Sequence, residues 1–205
     1  MKYKENMGIS QQNQDNHWMK IAIEMGQEAL DQGEFPVGAI IVHQGKIVGS
    51  ARRHNSKGTQ ENELDHAEIL AIRDWLSRGA PGRGKAICYS TLEPCLMCLG
   101  ALIINGIGAI RFSYEDVMGG ACGIDFNAPF SAAAMRYGPG QGAISATTIH
   151  FPSREFHLFR GFADRIRGGI LRRQGLKLFR EFFSRHDNHY LKDTLLARYT
   201  LAQEE

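Results

Sequence analysis

No run of residues in this chain is long and apolar enough to span a bilayer, which argues against a membrane-embedded role. The opening residues 1–14 are polar and lack the apolar stretch of an export signal, so the expected location is the cytoplasm. Cysteine is scarce. In a reducing compartment Cys88, Cys95, Cys98 and Cys122 read as metal ligands or buried thiols rather than as disulfides. An excess of either charge is also missing. With 24 Lys and Arg against 22 Asp and Glu, the net charge of +2 neither demands nor excludes a nucleic-acid partner. Internal repeats and low-complexity linkers are absent, which leaves no natural boundary between two domains.

What is present suits a folded globular chain of 205 residues, 43% of them hydrophobic and 22% charged. Residues 1–16 read as a flexible leader and 17–205 as one domain. Trp18, Ile21, Ala22, Met25, Ala29 and Leu30 recur at helical spacing up to Gly33. Residues 36–42 then read as a buried strand, Gln44-Gly45 as a turn, and 46–50 as the return strand of a hairpin. After a polar loop, Asp65 caps a predicted helix through Trp75 that stops near Gly79. A strand over 85–90, a helix over 95–105 closed by Gly106, and a strand over 107–113 follow. This alternation predicts a layered α/β fold with a partly parallel sheet. Residues 127–160 read as an insertion. Beyond them, 170–184 form a strongly amphipathic helix and 191–201 a short final one.

Two segments carry chemistry: His66-Ala67-Glu68 and Pro94-Cys95-Leu96-Met97-Cys98. Two thiolates from a Cys-x-x-Cys at a helix start and one imidazole form a donor set that suits zinc. The helix dipole and free N–H groups there also favour thiolates. Three protein ligands leave a fourth position for water, the arrangement of a catalytic rather than a structural ion. Glu68, two residues after His66, is then placed to carry protons between water and substrate. Cys88 and Cys122 read as structural thiols, and Glu93 as a carboxylate bonded to backbone.

With these motifs the sequence resembles the cytidine deaminase-like zinc hydrolases, and within them the bacterial tRNA adenosine deaminases. The likeness is carried by Phe35-Pro36-Val37-Gly38-Ala39, His66-Ala67-Glu68-Ile69 and Thr91-Leu92-Glu93-Pro94-Cys95-Leu96-Met97-Cys98, and by Gly169-Ile170-Leu171. The resemblance implies a three-layer α-β-α sandwich around a central five-stranded mixed sheet. It implies Zn2+ held by His66, Cys95 and Cys98, Glu68 as the catalytic residue, Asn55 and Ala67 as substrate-binding positions, and a homodimer. The expected reaction is hydrolytic deamination of a nucleobase, with adenosine to inosine in tRNA as the leading substrate. A free base, nucleoside or nucleotide is the alternative. The chain departs from the family around residues 104–106, 117–122 and 127–159, where substrate choice is made. Two readings from other classes remain at this point. One is a catalytically silent zinc-binding subunit, which Glu68 argues against. The other is a thiol redox protein, which leaves His66-Ala67-Glu68 unexplained. The basic run Arg160, Arg165, Arg167, Arg172, Arg173, Lys177, Arg180 and Arg185 is either a phosphate-binding face or an ordinary solvated helix face.

Overall fold

Strand alternation sorts the apolar side chains of the hairpin onto two faces. In the computed structural model, which describes residues 10–124 and 162–204, Ile40 and Val42 share one cluster with Met19 and Ala22. Ala39 and Ile41 face the other way and join Ala71, Ile72 and Trp75. These strands, β1 (Gly38–His43) and β2 (Lys46–Arg52), pair antiparallel, and β1 pairs antiparallel with β3 (Ile87–Leu92). Strand β4 (Ala109–Tyr114) lies parallel to β3, and the two-residue β5 (Ile166–Arg167) lies parallel to β4. The order β2-β1-β3-β4-β5 makes the five-stranded mixed sheet that the family likeness implies.

Helices α1 (Gln11–Asp31), α2 (Ala67–Ser77), α3 (Leu96–Ile104), α4 (Arg172–Ser184) and α5 (Leu195–Ala202) flank the sheet. Glycine sets how closely they approach. A Cβ on Gly38 would strike the Ala22 carbonyl oxygen and the Gly26 nitrogen of α1, and one on Gly49 would lie 2.7 Å from the Ala71 carbonyl of α2.

Helix α1 begins six residues ahead of His17, inside the segment read as a leader. Ser10 caps it by accepting a hydrogen bond from the Asn13 N–H at 3.3 Å. Asp15, fully buried, accepts from the Tyr89 hydroxyl at 2.8 Å and from Arg111 and Arg167 at 3.3 Å each. The apolar period misses this first turn because its anchor is a carboxylate. The segment read as an insertion, 127–160, lies outside the described residues.

Candidate active site

The two motifs meet where α2 and α3 begin. His66 is the N-cap of α2 and Cys95 the N-cap of α3, both in extended backbone, and neither side chain caps its own helix. Both side chains are therefore free to face each other. His66 Nδ1 lies 3.7 Å from Cys95 Sγ and 3.4 Å from Cys98 Sγ, and the ligand atoms of all three residues fall within 4.8 Å of one another. A tetrahedral zinc with bonds of about 2.3 Å to sulfur and about 2.05 Å to nitrogen would hold such a nitrogen and sulfur roughly 3.6 Å apart. The separations and the chemistry of the donor set fit that ion, and His66, Cys95 and Cys98 are the only such group among the described residues. Cys88 is buried elsewhere in the core and Cys122 is half-buried; neither belongs to the group.

Glu68, in the first turn of α2, is 3% exposed. Its Oε1 accepts from the Ser90 hydroxyl at 3.0 Å, and its Oε2 lies 3.7 Å from Cys98 Sγ. Burial raises its pKa, with the neighbouring His66 and the Ser90 hydrogen bond opposing the rise. Contact with the Cys95 sulfur raises the pKa of His66. Its Nε2 points away from the thiols, 3.4 Å from the Glu63 carboxylate. Hydrogen bonding from Cys98, aided by His66, lowers the pKa of the Cys95 thiol to about 4, the direction that favours a thiolate ligand.

A cavity of about 170 Å3 opens over this group. His66, Ala67, Glu68 and Cys95 contribute to its lining, with Phe35, Val37 and Leu92 as apolar wall and Leu191 and Leu196 reaching in from the C-terminal part of the chain. Such a volume is below the roughly 300–1,000 Å3 of pockets that enclose drug-sized ligands. It matches a single base, with the rest of any larger substrate outside. Glu93 accepts from the Asp116 N–H at 3.2 Å and the Cys122 N–H at 3.0 Å, which ties the turn bearing Met118 and Gly119 to the cavity rim.

Of the two expected substrate positions, Ala67 lines the cavity and Asn55 does not. Asn55 sits in left-handed backbone, φ 56°, and its amide donates to Asp65 at 2.7 Å. Two residues earlier Arg53 lines the cavity instead, together with Glu63 and Tyr190. Sequence reasoning missed all three. Arg53 directly follows β2, a usable signal. Tyr190 lies 92 residues beyond Cys98, so no local pattern points to it. Four of the eight residues of the basic run are engaged: Arg167 binds Asp15, Arg172 binds Glu115, Arg180 the Gln203 carbonyl, and Arg185 Glu181 and the Leu30 carbonyl.

Residues 12–114 match the profile described as the cytidine and deoxycytidylate deaminase zinc-binding region. A tRNA-specific adenosine deaminase of Buchnera aphidicola subsp. Schizaphis graminum is 40% identical over 114 residues, which span 51% of this chain and 70% of that protein. One of Bacillus subtilis is 37% identical over 115 residues, 56% of this chain and 70% of that protein. A solved structure from work on A-to-I editing by tRNA:A34 deaminases superposes with a TM-score of 0.55 at 23% identity, covering 79% of this chain and 98% of that one.

Proposed function

The chain belongs to the family of the cytidine and deoxycytidylate deaminase zinc-binding region, and from that premise we propose that it converts adenosine to inosine in tRNA. The site supplies the reaction and the relatives supply the substrate. What carries the reading is a buried carboxylate, Glu68, set beside a His/Cys/Cys donor group at the floor of a base-sized cavity.

His66, through Nδ1, and the thiolates of Cys95 and Cys98 would hold a zinc ion. Such an ion would supply the acidity that makes hydroxide available from water near neutral pH. Glu68 takes a proton from the attacking water, gives it to a ring nitrogen beside the reacting carbon, and moves another to the departing amino group, so that adenosine and water become inosine and ammonia. A raised proton affinity suits a group that must both accept and release. Ser90 fixes the carboxylate by donating to Oε1. Phe35, Val37 and Leu92 limit water around the ring. Asn55 braces the loop beside the site through Asp65.

The chain works as a homodimer in the cytoplasm. Leu96 (62% exposed) and Ile104 (66%) lie two turns apart on one face of α3, an apolar stripe that a second copy covers. No helix among the described residues is long and apolar enough to cross a membrane.

The substrate is tested by ammonia release from tRNA, adenosine, AMP, adenine, cytidine and guanine, beside tRNA binding at two salt concentrations. Release from tRNA together with binding that weakens steeply as salt rises is expected. Turnover of a small substrate, with no salt-sensitive tRNA binding, contradicts the assignment.

A further inference from the structure

Glu63 belongs to neither motif, yet it touches the one imidazole of the donor group. His66 Nδ1 faces the two sulfurs, so a metal there takes that nitrogen's lone pair and the neutral ring carries its proton on Nε2. That N–H needs an acceptor. It meets Glu63 Oε2 at 3.4 Å, the long end of hydrogen-bonding distance.

The loop fixes where this carboxylate stands. The Asn62 side-chain oxygen accepts from the Leu64 N–H at 2.9 Å and the Asp65 N–H at 3.0 Å, and the Asn62 carbonyl accepts from Arg53 Nη2 at 2.8 Å. These bonds hold the backbone on both sides of Glu63. The same Arg53 nitrogen lies 3.3 Å from Glu63 Oε2. The Tyr190 hydroxyl lies 3.0 Å from Oε2 and 3.2 Å from Oε1, and its ring packs on Phe35 with centres 5.3 Å apart. Oε2 is therefore the point on which His66, Arg53 and Tyr190 converge. The Glu63 side chain is 64% exposed, so its charge is screened and its ion pair with Arg53 is worth little. What the cluster supplies is an acceptor in a fixed place.

We propose that Glu63 is a positioning residue for the metal site: it accepts the Nε2–H of His66 and so keeps the ring in the tautomer and orientation that aim Nδ1 at the sulfurs of Cys95 and Cys98. The inference rests on the zinc-deaminase reading above. Tyr190 and Arg53 act one step further out, by holding Glu63. Through Tyr190, 127 positions along the chain from Glu63, the C-terminal part of the molecule is tied to the ligand set.

The test measures the zinc dissociation constant of the full chain by competition with a chromophoric chelator, for wild type, Glu63→Ala, Glu63→Gln, Tyr190→Phe and the Glu63→Ala/Tyr190→Phe double variant. Glu63→Ala should bind zinc about 10- to 100-fold more weakly, the usual effect of removing the partner of a metal-bound histidine. Glu63→Gln keeps a carbonyl acceptor without the screened charge and should recover most of that loss. Tyr190→Phe should weaken binding less than Glu63→Ala and add little to it in the double variant, because both act through one bond. In zinc-loaded protein the His66 Nε2 proton should be visible by NMR in wild type and exchange faster with water in Glu63→Ala. The melting temperature of the metal-free chains reports loop bracing separately, and Glu63→Gln against wild type carries the comparison if Glu63→Ala does not fold. Unchanged zinc affinity in Glu63→Ala, a loss that Glu63→Gln does not reduce, or an Nε2 proton indifferent to the substitution overturns the proposal. If wild type binds zinc and deaminates no base, the functional reading fails alone and the affinities still decide on Glu63. A wild type that binds no zinc overturns both.

Discussion

Cys95 shows how much one position can carry. It closes the turn from β3 into α3, stands at the N-cap position of that helix with its side chain turned to His66, and offers the thiol with the lower pKa of the pair. Cys95→Ala therefore removes a ligand and not the fold's hydrophobic core, since Cys95 is only half-buried. The one zinc per chain expected of the wild type should be lost or held far more weakly, with a lower melting temperature because metal binding and folding are coupled. Elemental analysis of the purified variant gives the answer, and full zinc occupancy contradicts the ligand assignment. Glu68 makes the opposite case. Nothing in its first-turn position requires a carboxylate beyond the helix dipole, yet it is buried against Ser90 and Cys98 with no Lys or Arg among the described residues bonded to it, a cost that the proposed proton-carrying role explains.

Between elements, the C-terminal helices are joined to β4 by a polar clamp. Glu115, just past β4, accepts from Arg172 Nε at 2.9 and 3.1 Å, from Arg172 Nη2, and from the Tyr199 hydroxyl at 2.8 Å. Burial pushes the Glu115 pKa up, but the Arg172 and Tyr199 hydrogen bonds outweigh it and the net shift is downward. A carboxylate held below its ordinary value stabilises the fold above that value, near 4.5, and gives the contribution up as the pH falls through the lower folded value. Glu115→Gln should therefore lower the melting temperature near pH 7 by about 2–4 °C, as for a loss of about 1 kcal/mol in a partly exposed pair. The difference should shrink at pH 3 to 4. A gap that stays constant from pH 7 to pH 3, measured by thermal unfolding, contradicts this account.

At the same scale one sees why part of the site could be read in the sequence and part could not. His-x-Glu and Cys-x-x-Cys are local patterns whose geometry follows from a helix start, so their meeting needed only the right α/β topology. Asn55 and Arg53 differ for a less local reason. The polar loop is fastened by Asp65, which accepts from both Asn55 and Asn62, and this turns the Asn55 amide inward to the loop. Hydrogen bonding to these two amides holds the Asp65 carboxyl below its usual range. Spacing alone cannot say which residue of such a loop faces the cavity. Leu191 and Leu196 reach the same wall from beyond the 127–160 segment, and nothing in their sequence neighbourhood marks them.

For the whole molecule, the helix faces that are not buried against the sheet should be explained by assembly. The exposed stripe of α3 includes Leu96 and Ile104, and on the proposed homodimer a charge there opposes association. Ile104→Glu should shift the mass in sedimentation analysis from dimer to monomer, with zinc retained. A wild type that sediments as a monomer at micromolar concentration contradicts the dimer. The occupied state of Arg167, Arg172, Arg180 and Arg185 moves any phosphate-binding surface off the basic run as a whole and onto groups such as Arg173 and Lys177, which are exposed on α4.

The central claim is that this site removes ammonia from adenosine in tRNA with Glu68 as proton carrier. The most direct measurement counts inosine, by nuclease digestion and mass spectrometry, in unmodified tRNA incubated with zinc-loaded wild type and with zinc-loaded Glu68→Gln. Wild type should form inosine, and the variant should keep its zinc while its rate drops by about 100- to 10,000-fold, the usual worth of a general acid–base group. Absence of inosine with wild type, or a Glu68→Gln variant that turns over at near-normal rate, would contradict the account.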